Sequence, residues 1–134
     1  MTPLENKRVP IASEEDIVHA RRIVRTYAQE LGIGLTNQTK LVTAVSELAR
    51  NTYVHGGGGT MQIELVSNPN NRGIRLVFED QGPGIPNIDL AMQDGYSTGN
   101  GLGLGLGGAK RLVHEFEIVS VVGQGTRVTI TMWV

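Results

Sequence analysis

The stretch "MQIELVSNPNNRGIRLVFED", Met61 to Asp80, contains two runs in which every second residue is apolar, from Met61 to Leu65 and from Ile74 to Phe78. A period of two is typical of a β-strand with one buried face. The segment "NPNNRG" between the runs is rich in the residues that favour turns. The stretch therefore predicts a β-hairpin.

Two helices are predicted before this hairpin. Ser13 resembles an N-cap, with Asp16 three positions later, and Gly32 is a typical helix end. Thr36 is predicted to cap a second helix, which ends at the glycines of "HGGGG" after His55. Apolar or small residues recur at intervals of three and four in both: Ile17, Ala20, Val24, Ala28 and Leu31 in the first, and Leu41, Ala44, Val45, Leu48 and Thr52 in the second.

The remaining elements complete the fold class. "KRVPIA", starting at Lys7, predicts an edge strand because it contains proline. A short helical piece at 88–93, a helix "AKRLVHEF" at 109–116, and the strands "EIVSVV" and "TRVTITMWV" follow the hairpin. Strands in pairs with helices between them predict an α/β two-layer sandwich, in which helices cover one face of a mixed, mainly antiparallel sheet. We expect one domain over residues 1–134.

Composition excludes several functions. The 134 residues carry a formal net charge of −1, which favours neither nucleic acid nor an anionic membrane as a partner. The absence of cysteine excludes disulfides and thiolate metal sites. No apolar run approaches the roughly 20 residues of a membrane span, and the first 13 residues lack the apolar core of a signal peptide. We therefore expect a cytoplasmic protein.

The corner "EDQGPGIP" raises the first functional hypothesis. Asp80 ends the second strand of the hairpin, and two glycines and two prolines follow between positions 82 and 86. One interpretation is a turn cap, a common role of aspartate before glycine. The other is recognition of adenine: the Asp80 carboxylate accepts a hydrogen bond from the exocyclic amine, Gly82 and Gly84 leave room for the planar base, and Ile85 contacts its face.

The second predicted helix carries Glu47 and Asn51, which are four residues apart and share a helix face. A solvated glutamate beside a hydrogen-bonded asparagine is one interpretation. In the other, Asn51 offers a neutral oxygen to Mg²⁺, and Glu47 accepts the proton of a water or hydroxyl that attacks a γ-phosphate.

The glycine run "GLGLGLGG" at 101–108 matches G-x-G-x-x-G, but it does not directly follow a strand, and no acidic residue follows Glu117. It also lacks the Lys-Ser/Thr of a Walker A motif, since Arg111 follows Lys110. A flexible linker is one alternative. The other is a phosphate site, because the run opens into a helix whose N-terminal amides attract anions.

The four motifs in this order resemble the GHKL ATPase/kinase superfamily, which has the Bergerat nucleotide-binding fold. They are E-x-x-x-N on the second helix, D-x-G-x-G after the third strand, the glycine run opening a helix, and "GQGT" at 123–126 before the last strand. The strings "VSELARN", "EDQGPGIPNIDLAMQDGYST" and "GNGLGLGL" are similar to the small serine/threonine kinases of bacterial sigma-factor regulation, especially the stressosome switch kinases of the RsbT type. "HGG" and "GQGT" are more similar to anti-sigma kinases, which leaves the partner open.

The resemblance implies ATP and Mg²⁺ as cofactors and a role for each motif. Glu47 is implied as the catalytic base, Asn51 as the metal ligand, and Asp80, supported by Thr126, as the residue that recognises adenine. Gly82, Gly84 and Ile85 are implied as the base pocket. The ATP lid and phosphate loop span Ser97 to Gly105, with nucleotide contacts from Ser97, Thr98, Gly101, Leu102, Gly103, Leu104 and Gly105.

The resemblance also implies a function. The expected activity is that of a Mg-ATP-dependent protein serine/threonine kinase, which phosphorylates a STAS-domain antagonist protein and regulates stress or sigma-factor signalling by partner switching. The alternative is an anti-sigma factor or a non-catalytic module whose binding is gated by ATP. A downstream phosphatase or a sigma factor is a further candidate partner, and a homodimer is one alternative for the oligomeric state.

Overall fold

The computed structural model describes residues 6–93 and 105–134. These residues form five strands and four helices in the predicted α/β arrangement. In chain order the elements are β1 (Asn6–Ile11), α1 (Glu14–Leu31), α2 (Leu35–Val54), β2 (Gly59–Asn68), β3 (Asn71–Asp80), α3 (Ile88–Ala91), α4 (Gly105–Leu112), β4 (Glu115–Val121) and β5 (Gly125–Trp133).

The five described strands form one open sheet in the order β1-β2-β3-β5-β4. Each neighbouring pair is antiparallel. Within the described ranges the sheet is therefore fully antiparallel, whereas a mixed, mainly antiparallel sheet was predicted. The predicted hairpin is β2–β3, and Pro10 lies on the edge strand β1 as expected. Because β5 inserts beside β3, Asp80 at the end of β3 faces Gly59 on one side and Thr126 on the other.

One face of the sheet and one face of each long helix form the core. The alternating residues Met61, Ile63, Ile74, Leu76, Phe78, Val128 and Ile130 are buried. Their neighbours on the opposite face, such as Gln62, Arg75 and Thr129, are half-buried. The apolar positions predicted for α1 and α2 are all buried. This confirms the two-layer sandwich.

The outer surface of α1 is strongly polar. Arg21, Arg22 and Arg25 are exposed on it, opposite the buried stripe.

Nowhere in residues 6–93 and 105–134 is a helix both long enough and apolar enough to cross a membrane.

The predicted ends of α1 are confirmed, but the predicted start of α2 is wrong. Ser13 Oγ accepts a hydrogen bond from the Asp16 amide over 3.1 Å, and Gly32 closes α1 with a φ of 86°. The N-cap of α2 is Gly34 and not Thr36. The Gly34 carbonyl already accepts from the Gln38 amide over 2.8 Å, so helical hydrogen bonding starts two residues earlier than the threonine suggested.

The predicted third long helix is displaced in the sequence. It begins within the glycine run at Gly105 and ends at Leu112, whereas positions 109–116 were predicted. Gly107 is buried where a β-carbon would collide with the backbone carbonyl of Met92, so close packing outweighs the poor helix propensity of glycine. His114 therefore lies beyond the helix. It is exposed, and its Nδ1 accepts from the Trp133 amide over 2.9 Å.

Candidate functional site

A cavity of about 380 Å³ opens between α2, the corner that follows β3, and the start of α4. It brings together residues that the sequence places more than 70 positions apart. The predicted site residues that line it are Glu47, Asn51, Asp80, Gly84, Ile85, Gly105 and Thr126. The two features expected to contact opposite ends of a nucleotide therefore share one cavity.

The other predicted site residues are not among the lining residues. Gly82 does not line the cavity, and its amide donates to Asp80 Oδ1 over 2.9 Å. This contact supports the carboxylate, and the place of Gly82 in the base pocket stays a prediction. Ser97, Thr98, Gly101, Leu102, Gly103 and Leu104 lie outside the residues that the structure describes.

The Asp80 carboxylate is oriented by backbone on two sides. One oxygen accepts from the Gly82 amide, as in the turn-cap interpretation, while the side chain also lines the cavity. The Cα of Gly56 lies against the same carboxylate, so a methyl group there would come within 2.5 Å of Asp80 Oδ2. The two interpretations of Asp80 are thus compatible, because the turn contact to Gly82 uses only Oδ1.

Gly82 and Gly84 lie where another backbone segment approaches closely, which the sequence did not indicate. Gly84 has a φ of 78°, and a β-carbon on it would come 2.5 Å from the carbonyl oxygen of Val121. A β-carbon on Gly82 would similarly come 2.7 Å from the carbonyl oxygen of Gly56. The absence of side chains therefore allows neighbouring backbones to approach, and only Gly84 of the two also faces the cavity.

Ser120 connects the corner to the adjacent strands. Its Oγ accepts from the Ile85 amide over 2.8 Å and lies 2.8 Å from Thr126 Oγ1. Thr126 is in turn the register partner of Asp80 across β3 and β5. Ser120, which was not predicted, thus links two residues that line the cavity, Ile85 and Thr126.

Glu47 is buried, which differs from the interpretation of a solvated glutamate. It is 8% exposed, and its Oε1 accepts a hydrogen bond from the Gly105 amide over 3.3 Å. Asn51 follows one helical turn later, half-buried and facing the same cavity. This hydrogen bond joins Gly105, the first residue of α4, to the predicted catalytic base.

The cavity has two chemically different ends along α2. Gly105 contacts Glu47, whereas Asp80 contacts Gly56 just beyond the end of α2. At a rise of 1.5 Å per residue, Glu47 lies roughly 10 Å along the helix from Val54, the last residue of α2. One end therefore offers a carboxylate beside apolar groups, and the other offers a carboxylate, an amide side chain and a helix start.

Several lining residues were not predicted. Arg50 and Val54 follow Glu47 at helical spacings of three and seven, a signal that would have placed them on the same face. Leu90 and Ala91 lie on the four-residue α3, which is too short to show a periodicity. The further lining residues are His55, Gly56, Pro83, Pro86, Asn87 and Leu106.

The metal question depends mainly on Asn51. Within the described ranges, no group of three or more His, Asp or Glu side chains is arranged to hold a metal ion. Mg²⁺ commonly takes only one or two protein oxygens and completes its shell with phosphate oxygens and water. The Asn51 side chain, on the cavity wall one turn from Glu47, fits that requirement.

The sequence matches known proteins along most of its length. Residues 36–134 match the family described as histidine kinase-, DNA gyrase B-, and HSP90-like ATPase. The chain is 49% identical to the serine/threonine-protein kinase RsbT of Bacillus subtilis, covering 93% of this chain and 94% of that protein. It is 32% identical to an anti-sigma F factor of Clostridium kluyveri, covering 87% and 85%.

Solved structures show the same fold at lower identity. The RsbU and RsbW domains of a Mycobacterium tuberculosis protein align with a TM-score of 0.66 at 20% identity, covering 98% of this chain and 32% of that one. The mycobacterial sensor histidine kinase MprB aligns with a TM-score of 0.57 at 23% identity, covering 96% and 97%. The resemblance drawn from the four motifs is thereby confirmed: the chain belongs to the family of histidine kinase-, DNA gyrase B- and HSP90-like ATPases.

Proposed function

We propose that this protein is an ATP-dependent serine/threonine kinase that regulates a signalling pathway by partner switching. The single observation that supports this most directly is the cavity in which Glu47, Asn51 and Asp80 meet. The relative named serine/threonine-protein kinase RsbT matches over nearly the full length of both chains.

Adenine is assigned to the Asp80 end. Since Oδ1 accepts from the Gly82 amide, Oδ2 would accept a hydrogen bond from the exocyclic amine of the base. Guanine would present a carbonyl oxygen there, and two facing acceptors are unfavourable. Ile85, Leu90 and Ala91 supply the apolar surface that a planar base requires.

The phosphates are assigned to the end formed by Glu47, Asn51 and Gly105. Asn51 would hold Mg²⁺, which would neutralise charge on the β- and γ-phosphates when bound. The N-terminus of α4 lies at this end and its dipole favours an anion, while the Gly105 amide itself donates to Glu47. Placing the triphosphate here puts the reacting phosphorus near the Glu47 carboxylate.

Glu47 would act as the catalytic base. The hydroxyl oxygen of a serine or threonine attacks the γ-phosphorus, the bond from that phosphorus to the bridging oxygen breaks, and ADP leaves with the bridging oxygen. Glu47 accepts the hydroxyl proton. Positioning of the reactants and neutralisation of phosphate charge would account for most of the rate acceleration, and the base would contribute a smaller part.

We propose that the protein substrate is an antagonist protein with a STAS domain. Mg²⁺ would bind together with the nucleotide. A second candidate function is supported by the anti-sigma F factors among the relatives: a module that binds a sigma factor or another regulator and uses ATP mainly to control that binding. The two functions share the nucleotide site and differ in whether phosphate is transferred.

Phosphate transfer to a purified STAS-domain protein from the same organism tests the proposal. Radiolabelled ATP and Mg²⁺ are incubated with both proteins, and label on the STAS protein is measured. We expect Glu47→Gln to bind ATP like the wild type and to transfer phosphate more slowly by about 10² to 10⁴. Glu30→Gln, an exposed glutamate on α1, is the matched control.

The outcomes separate the candidates. ATP binding without transfer to STAS-domain proteins by the wild type would support the binding module. Equal transfer rates for Glu47→Gln and Glu30→Gln would remove Glu47 from the mechanism while leaving the kinase assignment in place.

A further inference from the structure

Arg50 is a cavity residue whose charge the proposed mechanism does not use. It lies on α2 three residues after Glu47, with 27% of its side chain exposed. Among the described residues that line the cavity it is the one lysine or arginine, whereas Glu47 and Asp80 contribute two carboxylates. A triphosphate entering this cavity would therefore meet negative side chains, and Arg50 is the side chain that opposes their charge.

The contacts of Arg50 leave part of its guanidinium available. Nη1 donates to both carboxylate oxygens of Glu14, over 3.2 Å and 3.0 Å. Glu14 lies in the first turn of α1, and its side chain is 63% exposed. An ion pair this exposed stabilises the fold only weakly, so the guanidinium can turn toward another anion at small cost.

The position of Arg50 assigns it to one end of the cavity. Glu47, one helical turn before it, accepts from the Gly105 amide, whereas Asp80 contacts Gly56 at the far end of α2. Arg50 thus lies on the side of Glu47 and Gly105. This is the side on which the proposed function places the terminal phosphates.

We infer that Arg50 is a phosphate-binding residue that contacts the terminal phosphate and makes the site prefer ATP over ADP. This inference rests on the proposed ATP-binding function. Glu14 holds the guanidinium at the cavity rim and competes with the phosphate for it. The planar guanidinium can donate two parallel hydrogen bonds to phosphate oxygens, which a lysine cannot reproduce.

Binding of nucleotides tests the inference without relying on turnover. The affinities of ADP and of a non-hydrolysable ATP analogue are measured calorimetrically with Mg²⁺ for the wild type, Arg50→Ala and Arg50→Lys. We expect Arg50→Ala to lower the affinity for the ATP analogue about tenfold or more, because a charge-assisted hydrogen bond is lost. The affinity for ADP should change much less. The affinity of Arg50→Lys for the ATP analogue should lie between those of the wild type and Arg50→Ala. Lysine keeps the positive charge but cannot donate two parallel hydrogen bonds.

The controls separate a local role from a general one. Arg25→Ala removes an exposed arginine that does not line the cavity and should leave both affinities unchanged. Retained ADP binding by Arg50→Ala shows that the variant is folded. If Arg50→Ala weakens both nucleotides equally, or neither, the inference is wrong.

Glu14→Gln tests the competition. Removing the carboxylate should leave binding of the ATP analogue at least as tight as in the wild type. A loss of ATP preference as large as that of Arg50→Ala would contradict the competing role of Glu14. Failure of the wild type to bind ATP would overturn the proposed function, whereas ATP binding with an unaltered preference in Arg50→Ala would overturn only this inference.

Discussion

The Cα of Gly56 lies against the carboxylate of Asp80, so that a methyl group on Gly56 would come within 2.5 Å of Asp80 Oδ2. The contact joins the end of α2 to the end of β3 and limits the positions open to the Asp80 carboxylate, which we propose recognises adenine. A glycine of the "HGGGG" run thus belongs to the site without offering a functional group of its own.

Gly56→Ala should both destabilise the protein and weaken ATP binding. The added methyl group forces the Asp80 side chain or the neighbouring backbone to move, and overpacking of this kind costs about 1–3 kcal/mol. The free energy of unfolding in urea and the ATP affinity measure the two effects. Gly34→Ala is the control, because a methyl group there meets no heavy atom within 4 Å, and its cost as an N-cap change should stay below about 1 kcal/mol. Equal ATP affinities for the two variants would refute the role of the Gly56 contact.

Asp80→Asn should weaken ATP binding sharply. The amide can still offer an oxygen to Gly82, but its nitrogen would then face the exocyclic amine of adenine, and two facing donors cost about 1–3 kcal/mol. This corresponds to a loss of about 5- to 150-fold in affinity, measured by calorimetric titration. Glu79→Gln changes the adjacent, exposed acid and should leave the affinity unaltered. An unchanged affinity in Asp80→Asn would remove the adenine-recognising role.

Asn51→Ala should remove most of the benefit that Mg²⁺ gives to ATP binding. The affinity for ATP is measured with Mg²⁺ and again with a chelator in its place. We expect a loss of about tenfold or more with Mg²⁺, and equal affinities for variant and wild type in the chelator. Asn37→Ala, on the first turn of α2 and not on the cavity wall, should behave as the wild type in both conditions. A loss of the same size in the chelator would show that Asn51 contacts the nucleotide and not the metal.

Ser120→Ala should loosen the corner that follows β3. The change leaves the half-buried Ile85 amide without its acceptor, which costs about 1–3 kcal/mol in unfolding free energy, and it removes the contact to Thr126. Because Ile85 and Thr126 line the cavity, ATP affinity should fall as well. Ser67→Ala, at the exposed end of β2, is the matched control for urea unfolding and titration. A Ser120→Ala variant as stable as Ser67→Ala would show that the bridge contributes nothing.

The local elements of this protein were predictable because their signals lie between residues close in the chain. The period of two in the β2–β3 hairpin, the apolar spacing of α1 and α2, and the caps at Ser13 and Gly32 all appear in the structure. The same holds for Glu47 and Asn51, since a spacing of four on one helix leaves them on one face. The order of the four motifs was likewise enough to indicate the ATPase family.

Only the tertiary structure decided how these parts meet. The insertion of β5 beside β3 places Thr126 opposite Asp80, and packing of Gly107 against Met92 allows α4 to begin at Gly105, where its amide contacts Glu47. The contacts of Gly56 with Asp80, Ser120 with Ile85, and Arg50 with Glu14 are of the same kind. Each joins segments remote in sequence, and neither residue type nor periodicity specifies which backbone will approach another closely enough to exclude a β-carbon or to complete a hydrogen bond.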